Sequence, residues 1–531
     1  MDPLTSKPAT IANPAADLHS GAEAPKHESN WFGDAGRDTW LSGLVILLMF
    51  PVMLALFWFP VKRAFTSVEV NYNEGWNTYR AAMVAKGIPL YGALPRQFAG
   101  GTAYPPLSFH VMGLLGNANT FTEVGRVISI LSLLATGIFV GLIVKQAGGS
   151  QHTAVFSFLL YEIGIALLRA DRIGMNDPQL LGEAISAAGL YFYVRNPDSR
   201  RLLWLSAMLF CVAGFTKHNL IAFPAAVGLD LLFRSRRSFF TWVGAMAVSG
   251  GLLTALTFAV DGRYFLLHLM GSGGRTYSYA AAWSQFHHFV EKFQPLLVIA
   301  IAWSILALRS RRVLALAFAI TTGLAIYLSG GYGVDLNIFF NAFAVTVIAC
   351  GLMISDIEFA FYSSRSALLN PSATMMCGLF FISVFIFAPG QLRRDRQLLR
   401  ALPAEQAEFN TAMDFLKSRP GPAICESHLL CYDAGKPFEF EPFSVRYLLM
   451  TGKLREDDVL QLLKTHHFQT VEIALRSDEE DLSAPALLAS LGSDQKDPEK
   501  ERRFSPNFMT ELLQDYQLSL RTKDMVIFCP K

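Results

Sequence analysis

Long apolar runs separated by short polar breaks rich in arginine fill most of this chain, and the pattern stops near residue 390. Runs over 41–61, 126–146, 152–168, 178–194, 202–216, 220–233, 239–260, 295–308, 313–329, 338–355 and 373–389 reach or approach the roughly 20 apolar residues a helix needs to cross a bilayer. They predict about eleven transmembrane helices. The first run is too long for a signal-peptide core and has no small-residue cleavage site after it, so it reads as a retained helix. The apolar stretch 105–116 is short and opens with Pro105-Pro106, which predicts a segment that dips into the interface without crossing.

Outside the runs the pattern changes twice. Residues 1–38 are rich in Ala, Pro, Asp, Glu and Ser without periodicity, and read as a disordered cytoplasmic tail. Residues 391–531 carry more charge and short alternating patterns. Strands are predicted over 422–426, 470–475, 517–520 and 525–529, helices over 456–465 and 507–514, and a loose loop over 477–503. The expected architecture is a polytopic α-helical membrane domain, 39–390, followed by a small external α/β domain.

The arginines orient it. With a cytoplasmic amino terminus and a non-crossing 105–116, the clusters Arg195/Arg200/Arg201, Arg234/Arg236/Arg237, Arg309/Arg311/Arg312 and Arg365 all fall inside, as the positive-inside rule requires. Letting 105–116 cross would put every one of them outside. The segment 68–110, part of a first external loop over 62–125, then faces outward with 169–177, 217–219, 261–294, 330–337 and the tail, so polar groups able to form one site share one face.

Composition adds little that the pattern lacks. Of 531 residues 52% are hydrophobic and 17% charged, and a net charge of +2 gives no reason to invoke nucleic acid. The six cysteines are too few for a disulfide scaffold. In an oxidising compartment one tail disulfide can form, Cys425 and Cys431 being the nearest pair in sequence.

Candidate chemistry lies in the outward loops. Tyr72, Trp76, Tyr79 and Met83 recur at helical spacing and predict a juxtamembrane helix with its aromatics at headgroup depth. Glu74 lies near its start, where a carboxylate either caps the helix or serves chemistry. Asp177, before Pro178, has the same two readings. Together Glu74 and Asp177 are a candidate pair for a divalent metal ion or for steering a proton. Lys217 and His218 interrupt an apolar stretch, and a phosphate is a natural partner for such a lysine. Arg263, Arg275 and His287-His288 are weaker candidates with an alternative role as interfacial anchors. The glycines of 330–337, which ends on Asn337, either make a turn or let the backbone approach a ligand.

The set Asn71-Tyr72-Asn73-Glu74-Gly75-Trp76, Gly87-Ile88-Pro89-Leu90-Tyr91 and Tyr104-Pro105-Pro106-Leu107, following a first transmembrane helix, resembles the first external loop of the C-superfamily integral-membrane glycosyltransferases, which include protein mannosyltransferases and the lipid A aminoarabinose transferase. The resemblance implies a sugar donor carried on a polyprenyl phosphate and a lipid, glycan or protein acceptor. It makes Glu74 the base in an inverting transfer, Asp177 the acid of the second loop, and Lys217 with His218 the holders of the departing phosphate. Glu69, Tyr104, Arg172, Arg263 and Asn337 become candidate substrate-lining residues, with Glu69 a substitute base. Family members often carry two adjacent acids, whereas here Asn73 precedes Glu74. The expected address is a bacterial inner membrane with site and tail domain in the periplasm. The competing reading is a transporter or flippase for a lipid-linked or anionic solute.

Overall fold

The computed structural model describes residues 37–93, 98–273, 276–362, 371–476, 478–492 and 503–531. The predicted disordered tail (save its last two residues), Arg275 and Arg365 lie outside them. All eleven apolar runs are helical: α1 (Arg37–Arg63), α4 (Phe121–Gln146), α5 (Gln151–Arg169), α6 (Pro178–Arg195), α7 (Arg200–Thr216), α8 (Ala222–Arg234), α9 (Arg236–Val260), α11 (Tyr279–Ala307), α12 (Arg312–Ser329), α13 (Phe340–Tyr362), and α14 (Pro371–Phe381) continued through a π turn, Ile382–Phe387, into α15 (Ala388–Lys417). Three shorter helices lie in the loops expected to be external, α2 (Asn73–Ala85), α3 (Leu107–Leu115) and α10 (Phe265–Gly273). Among the described residues seven helices, α1, α4, α5, α9, α11, α12 and α13, are long and apolar enough to cross a membrane on their own. The chain is a multi-pass membrane protein. At about 1.5 Å per residue the nine residues of α3 are far too short to cross, as the Pro-Pro opening predicts.

Two boundaries differ from the sequence reading. The run placed at 295–308 is the second half of α11, which starts at Tyr279 and kinks where Phe293 leaves helical geometry (φ −125°) two residues before Pro295. The proline bends the helix without ending it, so most of the loop expected over 261–294 is helical. At the other end α15 runs unbroken across residue 390, and the membrane domain and tail are joined by one rigid helix of about 45 Å.

Helix ends alternate between two faces. The arginines expected to lie inside gather on one, where Arg234 pairs with Asp198, Arg311 with Asp356 and Arg312 with Asp230, each at 2.7 Å. On the other face Arg63, at the end of α1, donates to the carbonyls of Asp171 (2.9 Å) and Ile173 (3.2 Å), pinning the loop between α5 and α6. The shared face expected for the polar loops is therefore present.

The tail forms a four-stranded sheet in the order β1 (Ala423–Cys425), β2 (Thr470–Ala474), β4 (Met525–Pro530), β3 (Tyr516–Arg521). β1 and β2 are parallel, and their crossover carries α16 (His428–Asp433), α17 (Pro442–Met450) and α18 (Glu456–Lys464). The other two pairings are antiparallel. α19 (Ala484–Gly492) and α20 (Pro506–Asp515) pack with α18 over an apolar core that includes Phe440, Leu463, Val471, Leu487, Leu512 and Phe528. α19 falls where a loose loop was expected. Cys425 and Cys431 are joined in a disulfide between β1 and α16.

Candidate active site

α2 begins at the residues that carry the resemblance, and successive side chains there point about 100° apart. Asn73 faces a cavity, while Glu74 turns into the protein and is wholly buried. Glu74 Oε1 accepts from Arg126 Nε (2.9 Å) and the Asn176 amide (2.8 Å), and Oε2 from Arg126 Nη2 (2.6 Å) and the Val70 amide (2.7 Å). Four donors fill the four acceptor positions of a carboxylate. Arg126, also wholly buried, donates in addition to the carbonyls of Thr66 (2.5 Å) and Val68 (2.7 Å). The pair locks the first loop to α4 and, through Asn176, to the residue before Asp177.

The aromatic stripe of α2, expected to face the membrane surface, packs against protein. Tyr79 packs on Tyr432 and Phe438 and donates to the carbonyl of Lys436 (2.7 Å), and Trp76 meets Tyr104 and Phe109 edge-on. The tail domain covers Tyr72 and Tyr79 of the stripe, and Gly75 is where its backbone touches α2: a Cβ there would lie 2.0 Å from the Leu429 nitrogen and 2.3 Å from the His428 carbonyl carbon. Backbone cannot yield as a side-chain tip can, so Gly75→Ala is expected to undock α16 from α2, read as faster limited proteolysis of the tail domain with the membrane helices intact. Glu69 sits in the same seam, accepting from the Gly75 (3.2 Å) and Leu429 (3.1 Å) amides. Loss of water pushes its carboxyl up to about 7, opposed by hydrogen bonds from Ser427 and those two amides.

The cavity, about 1010 Å³, opens among the helix ends on this face. It draws Asn73 from α2, Tyr104 from the first loop, Arg172 and Asp177 from the second, Lys217, His218 and Asn219 after α7, and Asp335 and Asn337 from the glycine loop. Gly331 and Gly333 also line it, so this loop both turns and brings backbone to the cavity wall; Gly333 has φ +72°. From the tail come Phe443, stacked on Tyr332 at 5.0 Å, and Arg503, 3.8 Å over the ring of Tyr72.

Asp177 caps α6, its Oδ1 accepting from the Gln179 amide (2.8 Å) and Lys217 Nζ (3.1 Å). Its Oδ2 is buried without a hydrogen-bond partner among the described residues, and Arg172 Nη1 stands 3.9 Å away. Burial raises the Asp177 carboxyl, but Lys217 and Arg172 outweigh it and hold the group below the usual carboxylate range. For Lys217 burial wins, and despite Asp177 the ammonium lies below the usual lysine range. Asp335 is bound by both Arg169 and Arg172, and Arg169 also holds Asp171 (2.5 Å), which fastens the glycine loop to the second loop.

Of the residues singled out by sequence, Asp177, Lys217, His218, Arg172, Tyr104 and Asn337 thus meet at one cavity. Glu74, Glu69 and Arg263 do not line it; Arg263 is exposed, 5.0 Å over the ring of Tyr264, as an interfacial anchor would be. The donor set does not fit a metal shared by Glu74 and Asp177, because Arg126 saturates one carboxylate and Lys217 neutralises the other. Among the described residues no group of three His, Cys, Asp or Glu side chains converges elsewhere. Arg126 and Asp335 were missed by the sequence reading. An arginine in the first turns of an apolar helix is itself a signal, since it demands a partner. Arg503, in a mixed-charge stretch far along the chain, carries no such signal.

ArnT from Cupriavidus metallidurans, solved bound to undecaprenyl phosphate, aligns with 92% of this chain and 98% of its own at 13% identity, with a TM-score of 0.52. The oligosaccharyltransferase of Archaeoglobus fulgidus aligns in its complex with Zn and sulfate (TM-score 0.52, 12% identity, 81% of this chain and 67% of that one). It aligns too as AglB with an inhibitory peptide and a dolichol-phosphate (TM-score 0.50, 10% identity, 82% and 69%). The chain thus shares its fold with ArnT and with the archaeal oligosaccharyltransferase. No protein-family model matches the chain, and no curated protein matches it in sequence. At 10–13% identity what this chain shares with these proteins is the fold, and the chemistry of its site rests on its own residues.

Proposed function

We propose that this protein is a glycosyltransferase that moves a sugar from a polyprenyl-phosphate donor to an acceptor hydroxyl, with inversion, at the periplasmic face of a bacterial inner membrane. The observation that carries the reading is a cavity at helix ends where Lys217, Arg172 and His218 stand beside Asp177. A phosphate at headgroup level meets cations there while its isoprenoid tail stays in lipid. ArnT, which shares the fold, was solved with undecaprenyl phosphate, and AglB with a dolichol-phosphate. The positive-inside distribution and the tail disulfide both support an outward, oxidising side.

In this reading Asp177 takes the role that the resemblance assigns to Glu74. A base must reach the hydroxyl it deprotonates, and Glu74 has no acceptor position left. The acceptor oxygen forms a bond to the anomeric carbon as the bond from that carbon to the phosphate oxygen breaks. The hydroxyl proton passes to Asp177 Oδ2, and the polyprenyl phosphate leaves against Lys217 and Arg172. Donor phosphate competes with Asp177 for Lys217, so donor binding also frees the base. Glu74 is a positioning residue, holding Asn176 and with it Asp177.

Binding of undecaprenyl phosphate tests the cationic half directly. Lys217→Met is expected to weaken it by about 10–100-fold, the worth of one hydrogen bond to a charged group. A lysine whose pKa is lowered loses its charge early as pH rises, so wild-type affinity should fall on the alkaline side before an ordinary lysine would titrate, and Lys217→Arg should move that fall upward. Equal affinity in wild type and Lys217→Met would overturn the assignment.

A further inference from the structure

Adjoining the main cavity, between α6, α8, α12 and α13, lies a second cavity of about 20 Å³ that shares Asn219, Leu328 and Ile338 with it. Its polar lining includes Gln179, Glu183, Asn219 and Asn341. Gln179, Glu183 and Asn341 are only 3%, 1% and 7% exposed. Gln179 Nε2 donates to Glu183 Oε1 at 2.5 Å, which fixes the orientation of that amide and leaves its oxygen as the spare acceptor. Gln179 Oε1, Glu183 Oε2, Asn219 Oδ1 and Asn341 Oδ1 are all buried without a hydrogen-bond partner among the described residues. Lys217, the cation of the neighbouring loop, is held by Asp177.

Four unmatched oxygens, one from a carboxylate, around room for a single water-sized occupant limit what can sit there. A proton on Glu183 Oε2 turns that oxygen into a donor to a second one, and the remaining two then still need a water, so two separate events are required where one ion suffices. A cation satisfies all four and also neutralises the carboxylate. Mg²⁺ retains waters for which there is no space, and Ca²⁺ takes six to eight oxygens. A hard, four-oxygen set with one negative charge matches an alkali ion. We propose that Gln179, Glu183, Asn219 and Asn341 form a binding site for a monovalent cation, Na⁺, built against the main cavity. Occupancy would fix Asn219, and with it the loop that presents Lys217 and His218.

The test uses the full-length protein in nanodiscs and needs no sugar substrate, so its outcome is independent of the proposed transferase activity. NaCl is titrated against choline chloride at constant ionic strength, with thermal unfolding and equilibrium binding of radioactive sodium as readouts. Wild type is expected to bind sodium saturably, and at about ten times the apparent Kd its unfolding equilibrium should shift about tenfold toward the native state. Glu183→Gln and Asn341→Ala should each lose both responses, and Asn341→Ala decides the matter if Glu183→Gln does not fold. No saturable binding in wild type, or binding unchanged in the variants, would overturn the site and leave the cavity to water or to a protonated Glu183.

Discussion

Asp177→Asn is expected to lower release of polyprenyl phosphate from a panel of polyprenyl-phosphate sugars by about 10²–10⁴-fold, the usual worth of a general base. The substitution is conservative where it must be. Asn caps a helix as well as Asp does, so the Gln179 amide keeps its acceptor and α6 its start. What is lost is the negative charge of this cavity-lining residue, whose Oδ2 has no hydrogen-bond partner among the described residues. Lys217 is freed from its ion pair, so affinity for undecaprenyl phosphate should hold or rise while turnover collapses. Turnover within threefold of wild type, from protein with normal thermal stability, would remove Asp177 from the chemistry.

Arg126→Met, in α4, should be the most destabilising single change to the anchoring of the first loop, costing about 3–5 kcal/mol because it leaves the Glu74 carboxylate buried without its cation. Two backbone carbonyls lose their donors in the same step. Pairing it with Glu74→Gln removes the unmatched charge, so the double variant should recover part of the loss, measured as the midpoint of thermal unfolding in nanodiscs. Glu74→Gln alone should behave as a stability and positioning variant: less folded protein, with specific activity of the folded fraction lowered through a displaced Asp177. If it instead unfolds like wild type and has no turnover, the base is Glu74 and the reading centred on Asp177 fails.

Glu74 shows how a correct sequence observation can point to the wrong atom. The motif Asn73-Glu74-Gly75-Trp76 marks the loop that reaches the cavity, and each of its residues has a distinct structural task. Within the motif, however, neighbouring side chains on a helix diverge by about 100°, so adjacency in sequence places Asn73 at the cavity and Glu74 behind it. The tail's effect was equally hidden. An amphipathic aromatic helix beside a membrane reads as interfacial until a second domain is seen to cover it, and α16 does so through Gly75.

Apolar periodicity and the placement of arginines were enough to establish the membrane helices, their alternation, the four tail strands and the single face shared by the polar loops. These depend on summed local energies, the transfer of long apolar runs into lipid and the cost of moving positive charge across it, which accumulate along the chain and can be read without contacts. The partners of each charge depend instead on contacts between residues far apart in sequence. Glu74 meets Arg126 from 52 positions away and Asp177 meets Lys217 from 40, and only tertiary packing decided which carboxylate was saturated and which faced the cavity.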